Sequence, residues 1–511
     1  MTELKKTLAF VVAAVLISAT AVLATRPSVR SSVDFREQGQ LFFPNFKDPL
    51  ACTALEVIDY DTNTASALPF KVMQKDGKWV IPSHHDYPAD AKDRLAKTAA
   101  GVMDLRKDVL VSDLPDQWEA LGVIDPIDTK ATSLKGRGKR VTLKDKSGAV
   151  LADFIIGKEV AGQPNQRYVR VPDQKRTYAV NVNVDLSAKF SDWIETNLLK
   201  LTAADIRKVT FDNHKVDPER GTVTPGDVFT IERPTSTAPF VTDGLAPGQE
   251  IDPAKTGTLT SSLADLKIVG VRPKPAGLTS ALKATADGSS FKLTQESQRS
   301  LMNRGFYILR DGRLLSNQGD VIVQNEDGIV YTLRFGEVSF ATGEELSAGG
   351  EDESASAETE GDEAKKPETA KESRYLFVTA EFDPTLIPAP KPEPPNPHPT
   401  IPDKPFARDP SDPAVQSRVK ADADREARKK ADHDKKIADG QARAKELTER
   451  FAAWYYLVPG DAFHNVELDR ASLIREKPPT TPGPGAEGLP GFPMPGGGGL
   501  PPGIQMPPGH P

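Results

Sequence analysis

Hydrophobic and polar positions alternate with period two in two stretches of this chain, at an offset of 180 positions. Val141-Thr-Leu-Lys-Asp-Lys-Ser-Gly148 reads like Val321-Ile-Val-Gln-Asn-Glu-Asp-Gly328. The segment after each also matches, Val150–Gly157 against Val330–Gly336. Each pair predicts a β-hairpin, because side chains on a strand alternate faces and a polar, glycine-containing turn joins the arms. Further on, Arg167-Tyr-Val169 resembles Arg374-Tyr-Leu376.

Upstream of each hairpin the apolar spacing changes to that of a helix. Leu95, Ala99, Val102 and Met103 put one apolar face on a helix over about 89–105, followed by an extended run at Val109–Val111. The counterpart is a helix over about 253–266, followed by Ile268–Val271. A proline and a short second helix follow each, over 115–121 with Gly122 as its stop, and over 275–282. The shared order of elements predicts an α+β chain of two related modules, each with helices packed on antiparallel sheet. Their boundaries fall at 30–215 and 216–383.

Composition then shifts. Residues 344–373 hold 11 Asp or Glu and 3 Lys, which predicts a disordered acidic insert in the second module. Residues 384–413 carry 12 prolines and read as a semi-rigid linker. Residues 414–450 are charged at 19 of 37 positions and read as a solvated helix, broken near Gly440. Residues 451–476 form an aromatic docking segment, and 477–511, with 22 Pro or Gly, a disordered tail.

The amino terminus has its own pattern. Leu8–Ala24 is an uncharged run of 17 residues between Lys5-Lys6 and Arg26-Pro27. It predicts a transmembrane anchor, or alternatively a cleaved signal, within residues 1–26. With a short tail before it and the hydrophilic mass after it, the bulk of the chain is expected on the extracytoplasmic side of the cell membrane.

Charge narrows the function class. Sixty-five basic against 72 acidic residues give a net charge of −7, which argues against a nucleic-acid binder. One cysteine, Cys52, excludes an intramolecular disulfide framework and a thiolate zinc cluster. It reads as a small buried hydrophobe.

The order Asp76-Gly-Lys-Trp79, Tyr87-Pro-Ala-Asp90, Trp118-Glu-Ala-Leu-Gly-Val123, Phe154-Ile-Ile-Gly157 and Arg167-Tyr-Val-Arg170 resembles the bacterial "domain of unknown function 4340" family. The resemblance covers about residues 50–340, with a weaker second copy toward 380. It implies a membrane segment followed by an external α+β region, and an accessory role beside an ABC-type permease of the gliding-motility or auxiliary-transport kind. It implies no catalytic residues.

A search for chemistry adds little. No nucleophile elbow, P-loop or zinc-protease helix motif is present. Gly483–Gly488 matches a dinucleotide fingerprint in form but lies in the Pro/Gly tail, with no preceding strand. His84-His85-Asp86 reads as an exposed loop rather than a metal site. Glu351–Glu353 reads as a solvated charge run, not a calcium loop. Gly136-Arg-Gly-Lys-Arg140 is a basic patch that could meet anionic headgroups, but ordinary loop exposure is the plainer reading. Phe451, Trp454, Tyr455 and Tyr456 concentrate four aromatics within six positions. This cluster is expected to dock onto a module, with Trp454 largely buried. The rival is an exposed partner-binding patch, with Trp454, Tyr455 and Tyr456 as its anchors.

The chain therefore reads as a non-enzymatic, membrane-anchored extracytoplasmic protein without cofactor or small-molecule substrate. Its role would be that of accessory or scaffold to an envelope ABC-type system. The alternative is a binding module for an envelope polymer or peptide.

Overall fold

The structure is a computed structural model that describes residues 37–349, apart from 63, 64, 183, 185, 218, 219, 221, 288, 289 and 342. It also describes residues 371–391 and 413–477, together with Ala14, Val15 and Ser18. Those last three are helical; the rest of the expected anchor lies outside the described residues, as do Glu351–Glu353 and the tail beyond 477. Among the described residues no helix is long and apolar enough to cross a membrane.

The protein is α+β, and its strands pair antiparallel in several sheets. The first large sheet is built from β1 (Ala54–Asp61), β2 (Ser66–Lys75), β3 (Lys78–Ile81), β4 (Tyr87–Pro88), β5 (Val109–Ser112), β6 (Lys139–Lys144), β7 (Val150–Val160), β8 (Gln163–Arg170) and β9 (Thr177–Asn181). Its order is β4-β3-β2-β1-β6-β7-β8-β9-β5. A helix, Lys92–Met103, precedes the edge strand β5 and buries Leu95, Ala99 and Val102. The short helix Trp118–Leu121 stops at Gly122, whose φ of 74° suits a residue without a Cβ.

In the second half, β10 (Ile206–Asp212) is followed by the hairpin β11 (Lys215–Asp217) and β12 (Thr222–Thr224), then β13 (Val228–Glu232) and β14 (Gln249–Ile251). After the helix Pro253–Ala264 come β15 (Gly270–Pro273), the small pairs β16 (Ala286–Asp287) with β17 (Ser290–Phe291) and β18 (Phe306–Ile308) with β19 (Leu314–Ser316), then β20 (Asp320–Asn325), β21 (Ile329–Ser339) and β22 (Ser373–Phe382). The last strands are β23 (Trp454–Pro459) and β24 (Ile474–Glu476). The second large sheet runs β13-β10-β20-β21-β22-β23-β15.

Replacing each strand by its chain-order counterpart turns this into β2-β1-β6-β7-β8-β9-β5, so the two sheets follow one plan. The hairpins agree in detail. In the first, Asp145 Oδ1 accepts from the amides of Ser147 and Ala149 at 2.8 and 2.9 Å. In the second, Asn325 Oδ1 accepts from Asp327 and Ile329 at 3.1 and 2.8 Å. Such Asx contacts let a polar side chain replace backbone pairing in a tight turn. Both sheets slip register at a matching place, between Ile156 and Glu159 and between Phe335 and Val338. Gly157 and Gly336 sit at these bulges. A Cβ on either would collide with the carbonyl oxygen of Leu121 or Arg304, where the preceding helix ends against the sheet.

Several expectations are corrected. Residues 275–282 form turns rather than a short helix; the helix before the second hairpin is Gln295–Asn303, capped by Thr294. β10 lies before position 215 yet pairs with β13 and β20 of the second sheet. The acidic insert begins with an ordered helix, Gly343–Ala348, and Ser373 at its far end already belongs to β22. The proline-rich stretch opens with a packed turn, Pro384–Leu386, and Ile387 is buried.

The charged helix runs unbroken over Pro413–Phe451, about 58 Å at 1.5 Å per residue. Gly440 does not interrupt it. A Cβ there would run into the carbonyl oxygen of Asp327 and the Phe382 ring, so glycine lets the helix approach the sheet closely. Beyond Gly440 the helix buries Ala444, Leu447 and Phe451. Arg450 donates to the carbonyls of Glu195 and Asn197, each at 2.9 Å. Arg418–Lys436, by contrast, is mostly solvated. The sequence expectation of a wholly solvated helix therefore holds for its first half only.

Candidate functional site at the seam between the sheets

The aromatic segment forms β23, inserted between β22 and β15. A strand with a sheet neighbour on each side and a core on each face buries its middle side chains, here Tyr455–Val458, which accounts for the continuous apolar run. Tyr456 and Val458 point into the main core, whereas Tyr455 and Leu457 enter a smaller cluster with Phe306 and Phe377. Tyr455 stacks on Phe377 at 4.8 Å, and the Tyr456 hydroxyl donates to the Arg450 carbonyl at 3.1 Å. Burial pushes the Tyr456 phenol well above its ordinary range. Tyr455 and Tyr456 are thus packed inside the protein.

Trp454 is packed against the main core with one part of its surface left accessible, in keeping with the expected docking. Its ring meets Tyr87 of the first sheet edge-on at 5.1 Å. From there a file of rings continues, Tyr87 to Phe190 at 5.7 Å and Phe190 to His84 at 4.2 Å. The last pair is stacked with planes 4° apart. The predicted docking residue therefore opens onto a seam built from both halves of the chain.

His84 was expected in an exposed loop, but the structure buries it. Its Nδ1 lies 2.9 Å from Ser83 Oγ and its Nε2 2.8 Å from Ser347 Oγ. A neutral imidazole offers one donor and one acceptor, and a serine hydroxyl can meet either. Burial, helped by the charges of His85 and Arg272, lowers the His84 pKa to about 4. His85 Nε2 lies 2.7 Å from the Ala348 carbonyl, and Asp86 pairs with Lys75 at 2.6 Å. Both His85 and Asp86 have left-handed φ, 58° and 60°, which is uncommon outside glycine. The three residues engage different partners rather than converging. Among the described residues no group of His, Cys, Asp and Glu is arranged to hold a metal ion.

Ser347 and Ala348 belong to the insert helix Gly343–Ala348, which also covers the outer edge of β15. Arg272, buried on that strand, donates to the carbonyls of Leu346 and Glu345 at 3.1 and 2.7 Å. Gly270 admits the Leu346 carbonyl where a Cβ would collide with it. The insert thus begins as a clasp between the His84 turn and β15. The clasp was hidden in the sequence, because its six residues sit inside a low-complexity acidic tract.

Beside the clasp lies a cavity of about 490 Å³. Phe70, His84 and Phe190 line it from the first half, Ile268 and Val269 from the second, and Ser347 from the clasp. Lys139 and Lys189 also reach it.

The basic patch at 136–140 is engaged internally. Arg137 donates to the carbonyls of Asp125, Pro126, Asp128, Ala131 and Ser133 and lies over the Tyr60 ring. Arg140 pairs with Asp125 at 2.9 Å and Asp153 at 2.7 Å, and Lys139 with Asp59 at 3.0 Å. Cys52 is buried, its thiol 3.4 Å from the Ala54 carbonyl and pushed up to about 11, as a core cysteine should be.

Comparisons with curated proteins and with solved structures return no match. A family model described as "Domain of unknown function (DUF4340)" matches residues 79–281. That span takes in the seam's His84, Tyr87 and Phe190, most of the first sheet and the opening strands of the second. The resemblance read from the short motifs is borne out over this stretch, where residues 79–281 of the chain match the DUF4340 family model.

Proposed function

We propose that this protein is a non-enzymatic, membrane-anchored extracytoplasmic scaffold that serves an envelope ABC-type transport system as an accessory component. In this reading Leu8–Ala24 is the anchor and the two sheets face outward. The arm helix Pro413–Phe451 is the observation that carries it. Its second half is fixed to the second sheet through Gly440, Ala444, Leu447 and Phe451, while Arg418–Lys436 stands in solvent. A polar helix half that gains nothing from the core, held rigidly at one end, suits a partner outside the chain. The buried aromatic strand Trp454–Pro459 anchors the arm and is not itself the contact.

Affinity purification of the full-length chain from solubilised membranes of its host tests this. An ABC-type permease should co-purify, and should be lost when the exposed Arg418, Arg428 and Lys435 are changed to Glu. Absence of a permease, or its retention by the triple variant, contradicts the reading.

A second reading, a binding module for an envelope polymer or peptide, is favoured by a cleft of about 650 Å³ between the arm and the second sheet. Arg207, Arg233, Lys429 and Lys436 line it beside Leu386 and Ile387. Sedimentation with isolated cell-wall material would support that reading.

A further inference from the structure

We propose that the seam cavity is a binding site for an amphipathic anion, a small molecule with an apolar body and one acidic group. Three observations converge on it. The cavity of about 490 Å³ is of the size that encloses a small organic ligand, and it lies between two halves of a chain, where such sites concentrate. Its wall is largely apolar: Phe70, Phe190 and Ile268 are themselves core residues, so the surface they present is rigid and preformed. Among the described residues its charges do not cancel. Asp59, Lys139 and Lys189 reach the cavity; Lys139 lies 3.0 Å from Asp59, and the exposed Lys189 leaves one positive charge in surplus. His84 adds none at neutral pH, because burial keeps it unprotonated. The acidic group would sit at Lys189 and the apolar body against the rings.

This site does not depend on the arm helix, and it can stand or fall apart from the transport reading.

The test uses the full chain and the fluorescent probe 8-anilinonaphthalene-1-sulfonate, an aromatic body with one sulfonate. Trp193 lies 6.2 Å from Phe70 in the cavity wall and can transfer excitation to a bound probe. The expected result is saturation at one equivalent, with displacement by dodecanoate and not by dodecyltrimethylammonium below its micelle concentration. Lys189→Glu should weaken binding about tenfold, since a charge contact is lost and a like-charge repulsion of similar size replaces it, and Lys189→Arg should leave it unchanged. Ala188→Phe, which fills the cavity from its wall, should abolish binding. Binding without saturation, equal displacement by the cationic chain, or equal affinity in Lys189→Glu would each overturn the proposal. Should Ala188→Phe fail to fold, the Lys189 pair decides alone.

Discussion

Tyr456 occupies in the second sheet the position that Tyr178 occupies in the first. Tyr178 is flanked by Val169 on β8 and Leu110 on β5; Tyr456 is flanked by Leu376 on β22 and Val271 on β15. Both rings are buried. The strand after β8 follows within a few residues, at Thr177, whereas the strand after β22 waits until Trp454. The arm helix and the proline-rich stretch are therefore an insertion between two adjacent strands of one sheet. The order of pairing is kept while the chain makes its excursion, because loop-closure cost grows only slowly with length.

The matched bulges predict matched sensitivities. Gly157→Ala and Gly336→Ala should each destabilise the protein by about 1–3 kcal/mol, the range for forcing an extra methyl into a packed site. Chemical denaturation checks this. A neutral effect at either position would show that the helix end does not press on that bulge.

Gly440 offers a test in which the usual sign reverses. At a solvent-facing helix position, glycine to alanine gains about 1 kcal/mol. Gly440→Ala should instead lose stability, since the new methyl meets the Asp327 carbonyl and Phe382. Ala431→Gly, on the exposed half, supplies the ordinary control and should cost about 1 kcal/mol. A stabilised Gly440→Ala would mean that the arm does not seat where described.

The contact between Tyr87 and Trp454 joins the two sheets and can be measured as a coupling. In a double-mutant cycle with Tyr87→Leu and Trp454→Leu, the pair should show about 0.5–1.5 kcal/mol of interaction energy, the value for edge-to-face rings. Additive effects would place the two rings apart.

His84 predicts a pH dependence. Its folded pKa of about 4 lies below the ordinary value of 6.5, so between these limits the unfolded chain binds the proton more readily. Stability from this group is complete above pH 6.5 and is lost as pH falls toward 4, by up to about 3 kcal/mol at 1.36 kcal/mol per unit. Protonation would also remove the acceptor used by one of the two serines. Melting curves should therefore fall more steeply from pH 6.5 to 4 in the wild type than in His84→Gln. Parallel curves would contradict the buried, neutral assignment.

Much of the plan was legible before the structure, for identifiable reasons. The hairpins at 141 and 321 showed themselves through strand-like runs ending in a polar, glycine-containing turn, and through Asp145 and Asn325, whose side chains make the turn. Arg167 and Arg374 marked the next strand in both copies. Each now donates to the carbonyl of its bulge glycine, Gly157 or Gly336, at 3.3 Å. The helices near 92 and 253 were legible from apolar spacing. What failed was whatever depended on long-range packing. Residues 275–282 were read as a helix, yet the Leu282 carbonyl accepts from the distant Leu314 amide at 3.1 Å and the segment closes as turns. Gly440 looked like a break because only the sheet beneath it explains why a side chain is excluded. Tyr455 and Tyr456 were located as a cluster, but their strand partners lie far away in sequence. The seam around His84 has no local signal, since its walls come from segments far apart in sequence, among them those of Phe70, Phe190, Ile268 and Ser347.

The insertion of β23 between β22 and β15 is the claim on which the anchored arm, the duplicated plan and the seam all rest. Amide hydrogen exchange of the full-length protein tests it most directly. The amides of Tyr455–Val458 should exchange as slowly as those of the central strand β21, through global unfolding only, because an interior strand opens with its sheet. Exchange of Tyr455–Val458 as fast as that of the exposed arm residues Arg418–Lys430 would contradict the account.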